Sequence, residues 1–111
     1  MLHAPGSRIL FERTDAPADP LNLVRTYFPD EDLVILEGYT NAAIPKIEVF
    51  RSSLHDAPHW TADRENADQW IAMLVDDLSV DVPFPKFQFS DTSWLVALTA
   101  MTWETALVID A

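Results

Sequence analysis

Apolar residues in this chain come in short runs separated by clusters of proline, aspartate and serine, and the runs have different periods. Arg8-Ile-Leu-Phe-Glu-Arg13 is a short apolar segment stopped by Ala16-Pro-Ala-Asp-Pro20, which predicts a strand ending in a turn. Asp19 followed by Pro20 is a helix start, and Leu21, Val24, Tyr27 and Phe28 then share one face, so a helix is expected up to the residue before Pro29. Leu33-Val-Ile-Leu36 is unbroken rather than alternating, the pattern of a central parallel strand covered on both faces. In Ile44 to Arg51 the residues alternate, with Lys46, Glu48 and Phe50 against Ile47, Val49 and Arg51. This predicts a strand with at least one wet face, and Pro45 confines that strand's start to an edge or end.

Ser52 to Asp63 carries His55, Pro58, His59 and Trp60 without a period and is read as loop. Trp70 to Val75 fits a buried strand or a short helix equally well, and the pattern leaves both open. Pro83 to Phe89 reads as a strand. Ser90-Asp91 is a cap signal for a helix over Thr92 to Trp103, whose stripe Trp94, Leu98 and Met101 calls for cover from a sheet or a partner. The element order predicts an α/β fold, a mixed, mostly parallel sheet with flanking helices, in one domain over residues 1–111.

Charge and composition narrow the function. Seven basic residues against 18 acidic ones give a net charge of −11, which opposes binding to nucleic acid or an anionic membrane. No apolar stretch reaches the length of a membrane span, and the first residues lack a signal-peptide pattern, so a cytoplasmic protein is expected. With no cysteine there is no thiol nucleophile, disulfide or cysteine-ligated metal. His55 and His59 have a two-histidine metal spacing only on a helix, which Pro58 between them opposes. The serines lack a nucleophile elbow, and the chain is read as non-catalytic on its own.

Asp32-Leu-Val-Ile-Leu-Glu-Gly-Tyr39 followed by Ile44-Pro-Lys-Ile-Glu-Val-Phe-Arg51 resembles the molybdopterin-guanine dinucleotide biosynthesis protein B (MobB) family, a P-loop nucleotide-binding fold. The resemblance continues more weakly through Ile71-Ala-Met-Leu-Val-Asp76 and Asp81 to Phe89, and covers about Arg8 to Trp103. It implies GTP and Mg²⁺ as ligands, a homodimer, and the molybdopterin guanylyltransferase as partner. Four Trp and six Phe are also more aromatic surface than a small core readily hides, which favours association.

The departures are specific. The glycines are Gly6 and Gly38, so these 111 residues contain no Gly-x-x-x-x-Gly-Lys-Ser/Thr phosphate loop. Val75 and Phe50 stand where the family commonly has Ser and His. The chain is then either the C-terminal part of a longer protein or a family member without its own loop. Under the resemblance Glu37 is the candidate Mg²⁺-side carboxylate, its plain reading being a strand-capping acid. Lys46 and Arg51 are candidate nucleotide-phosphate contacts, or else part of a solvated strand surface on which Lys46 pairs with Glu48. Asp76 is a candidate base-recognising acid, or with Asp77 a strand-ending turn. The alternative function is a dimerisation or protein-interaction module that binds no nucleotide.

Overall fold

The computed structural model describes residues 19–109 together with Leu2–Ala4 and Ser7–Ile9, and the residues group into two compact units, Met1–Val34 and Ile35–Asp110. In the first unit, β1 (Leu2–Ala4) pairs antiparallel with β2 (Ser7–Ile9). Arg8 and Ile9 of the predicted first strand lie in β2. The rest of that strand and the turn from Ala16 to Ala18 fall outside the described residues. The helix α1 (Pro20–Tyr27) forms where expected: Asp19 accepts a hydrogen bond from the Leu21 N–H at 3.0 Å, Pro20 sits in the first turn, and Phe28 closes the end by donating to the Val24 carbonyl. Of the predicted face Val24 is buried, whereas Tyr27 and Phe28 are exposed.

The second unit is built on a parallel sheet of order β3-β4-β5, comprising β3 (Lys46–Phe50), β4 (Trp70–Val75) and β5 (Lys86–Gln88). The ambiguous Trp70 to Val75 segment is therefore the central strand, preceded by a short 3-10 turn at Ala67–Gln69. Its position explains its unbroken apolar run. Trp70, Ala72, Met73, Leu74 and Val75 are all buried, as a parallel strand covered on both faces requires. The register slips once, between Lys46 opposite Trp70 and Ile47 opposite Ala72, so Ile71 is the extra residue of a bulge.

Leu33 to Leu36, expected to be the central strand, forms no strand, and Ile35 is 79% exposed. An apolar run becomes a strand only with a ladder partner beside it, and among the described residues the outer edge of β3 carries none. The central place belongs to β4 instead.

The faces of β3 also differ from what side-chain polarity suggests. Val49 is 60% exposed while Glu48 and Phe50 are buried, so the wet face is the hydrocarbon one. Phe50, Met73 and Val75 form the core on the other face, covered by Trp60 from one loop and Val80, Val82 and Phe84 from the next. The Trp60 and Phe84 rings meet edge to face at 5.4 Å.

Glu48 is buried with both of its oxygens hydrogen-bonded. Oε2 accepts from the His59 N–H at 2.7 Å, and Oε1 accepts from the Trp60 N–H and the Trp70 indole Nε1–H, both at 3.0 Å. The expected Lys46–Glu48 pair is replaced by this arrangement, and Lys46 donates to the Ile44 carbonyl at 3.3 Å. The loop over the core is thus fastened to the sheet by one side chain.

α2 (Trp94–Thr105) is the predicted last helix, shifted two residues along. Asp91 accepts from the Ser93 N–H at 3.0 Å, so it makes a turn before the helix rather than its cap. Trp94, Leu98 and Met101 are half-buried as the stripe predicts, but no residue of α2 is fully buried, and Leu95, Val96 and Trp103 stand exposed.

Replacing Glu48 by Gln should destabilise the fold by about 2 kcal/mol, because an amide NH₂ then faces an N–H that has lost its acceptor. Urea unfolding followed by tryptophan fluorescence measures this directly. A change near zero would remove Glu48 from its place as the fastening of the loop.

Candidate functional site

In a parallel sheet the carboxyl ends of all strands lie on one edge, and ligand sites of open α/β sheets gather outside that edge. Here the edge collects Arg51, Ser52 and Ser53 after β3, Asp76 after β4, and Gln88 and Phe89 at the end of β5. Gln88 Nε2 donates to the Asp76 carbonyl at 3.1 Å and the Phe89 N–H to the Val75 carbonyl at 3.0 Å, tying the strand ends together. The Arg51 guanidinium lies 4.9 Å from the Phe89 ring centre, a cation–π contact that leaves the group exposed.

Asp76 is held by donors of its neighbouring loop. Oδ1 accepts from the Ser52 N–H at 2.9 Å and the Ser52 hydroxyl at 3.0 Å, and Oδ2 accepts from the Ser53 N–H at 3.2 Å. These bonds, the Ser52 backbone N–H first, bring its pKa down to about 2. Three of roughly four lone-pair positions on the carboxylate are occupied. Asp77 serves as a turn residue, accepting from the Ser79 N–H at 2.9 Å. Lys86 donates to the Leu78 carbonyl at 2.8 Å and also to that of Val80, fixing the loop from β4 to β5.

Of the four residues singled out in the sequence, this edge brings together Arg51 and Asp76. Lys46 starts β3 and lies at the sheet's other end. Glu37 lies in the irregular segment before β3, exposed, followed by Gly38 at φ +84° and Tyr39 at φ +52°. It ends no strand, so the strand-end placement expected of a Mg²⁺-side acid is absent. Among the described residues no three His, Cys, Asp or Glu side chains gather into a metal-binding group, so Glu37 could serve Mg²⁺ only as a single carboxylate beside nucleotide phosphates. His55 and His59 lie on a loop, and His59 contributes its backbone: its N–H to Glu48 and its carbonyl to Arg64 Nε at 2.6 Å.

Sequence reasoning gave Glu48 only a surface pairing with Lys46 and did not single out Arg64 or Asn66. Two signals were available. Glu48 shares the face of Phe50, and the nearby tryptophans Trp60 and Trp70 each need an acceptor for the indole N–H when buried. Trp70 finds it on Glu48 and Trp60 on the Ala67 carbonyl at 3.1 Å.

Compared with known proteins, the model of the family described as Molybdopterin guanine dinucleotide synthesis protein B (MobB) matches residues 1–76, ending at Asp76. The weaker similarity from Asp81 to Trp103 lies beyond the matched part. Neither a curated protein nor a solved structure matches.

The depressed pKa of Asp76 sets an acid limit. Its contribution to stability is complete above the ordinary carboxyl value of 3.8 and is lost as pH falls from there through about 2. Acid unfolding followed by circular dichroism should therefore be steeper for the wild type than for Asp76→Asn between about pH 4 and pH 2. Parallel curves would mean that the Ser52 and Ser53 bonds do not hold in solution.

Proposed function

The chain belongs to the MobB family, whose members serve molybdopterin guanine dinucleotide synthesis and bind nucleotide in a P-loop-like fold, and from this we propose that it is an accessory protein of that pathway whose own hold on GTP is impaired. It contributes the carboxyl edge of a guanine-nucleotide site, with Asp76 toward the base and Arg51 toward the phosphates. It works in the cytoplasm as a homodimer with the molybdopterin guanylyltransferase.

The observation that carries the reading is the state of Asp76. A guanine edge offers two N–H donors to such a carboxylate, and here three donors of the chain itself already occupy it. The 111 residues also supply no glycine-rich cradle of backbone N–H groups for the β and γ phosphates. A surface of charge −11 opposes a triphosphate besides. A base-side acid without a phosphate cradle supports weak binding alone and stronger binding once a cradle comes from another polypeptide. The exposed Leu95, Val96 and Trp103 of α2 favour the second reading, an interaction module without nucleotide.

Calorimetric titration of GTP with Mg²⁺ separates the two. Into the chain alone, heats should stay at the level of dilution. Into the chain mixed with a polypeptide carrying a phosphate loop, saturable binding should appear and should weaken with Asp76→Asn, which removes the charge at the one acceptor position that Ser52 and Ser53 leave open on this carboxylate. Micromolar binding by the chain alone would refute impaired binding, and no binding in the mixture would leave the interaction module as the function.

A further inference from the structure

A second polar constellation lies at the amino end of the same sheet, away from Asp76. Lys46, the first residue of β3, has its Nζ 5.6 Å from the Trp70 ring centre, and the Arg64 guanidinium lies 5.5 Å from the same ring. Two of the seven basic residues of a chain with net charge −11 are therefore gathered on one indole.

Among the described residues neither cation forms an ion pair with a carboxylate, and Arg64 feels the electrostatic pull of the neighbouring Asp63. Lys46 donates to the Ile44 carbonyl, while Arg64 donates through Nε to the His59 carbonyl and through Nη1 to Asn41 Oδ1 at 2.9 Å. All three acceptors are neutral. These bonds fix the guanidinium plane and engage Nε and Nη1, with no hydrogen bond from Nη2 among the described residues. The two positive charges act on one another: burial first, and then Arg64, holds the Lys46 ammonium below its ordinary pKa. An anion between or beside them would relieve that repulsion.

Arg64 also forms part of the wall of a cavity of about 460 Å³ lined by Asn41, Ala43, Arg64, Glu65 and Asn66. Asn66 uses its amide NH₂ on the Thr40 and Ala42 carbonyls, at 2.9 and 3.1 Å, which leaves its amide oxygen as an acceptor, and the Glu65 carboxylate belongs to another residue of the same lining. The wall thus offers a cation and two acceptors. Its volume exceeds what a bare oxyanion fills and lies within the range of small-molecule sites.

We propose that the cavity at the amino ends of β3 and β4 binds the phosphomonoester of a small polar molecule, its phosphate held by Arg64 with Lys46 in support and its hydroxyl or amino groups donating to Asn66 and Glu65. Arginine suits the phosphate because its fixed fork of N–H groups matches two phosphate oxygens. This site is separated from the Asp76 edge by the length of β4 and stands independently of the nucleotide reading.

Ribose 5-phosphate is the probe, and the indole N–H signal of Trp70 in a proton–nitrogen correlation spectrum is the local readout. At constant ionic strength the full chain should show a saturable shift of that signal with ribose 5-phosphate and none with ribose. Lys46→Gln and Arg64→Lys should each weaken binding by about tenfold, whereas Arg25→Gln, which removes the same charge from α1, should not. Should Arg64→Lys unfold the chain, Lys46→Gln decides alone. No saturable shift up to about 50 mM, an equal shift with ribose, or equal weakening by Arg25→Gln would overturn the site.

Discussion

One buried carboxyl group organises the Ile35–Asp110 unit. Leaving water costs Glu48 more than any apolar neighbour, and that cost is offset only because three N–H donors reach it at hydrogen-bond distance. The three come from different parts of the chain: two backbone groups of the loop after β3 and the indole at the start of β4. Satisfying the carboxyl therefore sets the position of the loop, and with it Trp60, which covers Phe50 and Met73. Polar and apolar interactions share one geometry here, and neither would hold it alone.

The sheet's polarity then sorts the chemistry. At the carboxyl edge Asp76 and Arg51 meet the loop that Ser52 opens, and at the amino edge Lys46 and Arg64 meet the loop that Asn41 and Asn66 line. The segment between Phe50 and Trp70 touches both ends, through Ser52 at its beginning and Arg64 near its close. It is fastened by Asp76 at one point and by Glu48 at another.

Much of the secondary structure was legible in the sequence because it rests on local signals. Asp19-Pro20 announces α1, Pro45 marks the start of β3, and the spacing of Trp94, Leu98 and Met101 gives the inner side of α2. Leu33 to Leu36 and Trp70 to Val75 have the same apolar run, and only one is a strand, because ladder partners are a property of the assembled sheet and not of the run. The sites were legible in part for the same reason. Residue type and strand position marked Arg51 and Asp76, and the family membership was readable from the stretches around Glu37 and Lys46. What the sequence hid was position: Lys46 opens β3 and Arg51 follows its last residue, so the two lie at opposite ends of the sheet, and Glu48, polar by type, is buried.

The threonines of α2 carry a consequence for how this protein behaves in concentrated solution. Thr99, Thr102 and Thr105 each donate their hydroxyl to the carbonyl four residues earlier, at 2.6 to 2.7 Å, so these hydroxyls are turned onto the helix backbone. Glu104 is the only charged side chain on the helix. α2 is thus an apolar helix, exposed at Leu95, Val96 and Trp103, on a strongly acidic chain, and mutual repulsion among copies at neutral pH opposes the meeting of two such helices. Near the isoelectric point of about 4.3 that repulsion vanishes while the exposed apolar side chains of α2 remain, so charge no longer keeps copies of this helix apart.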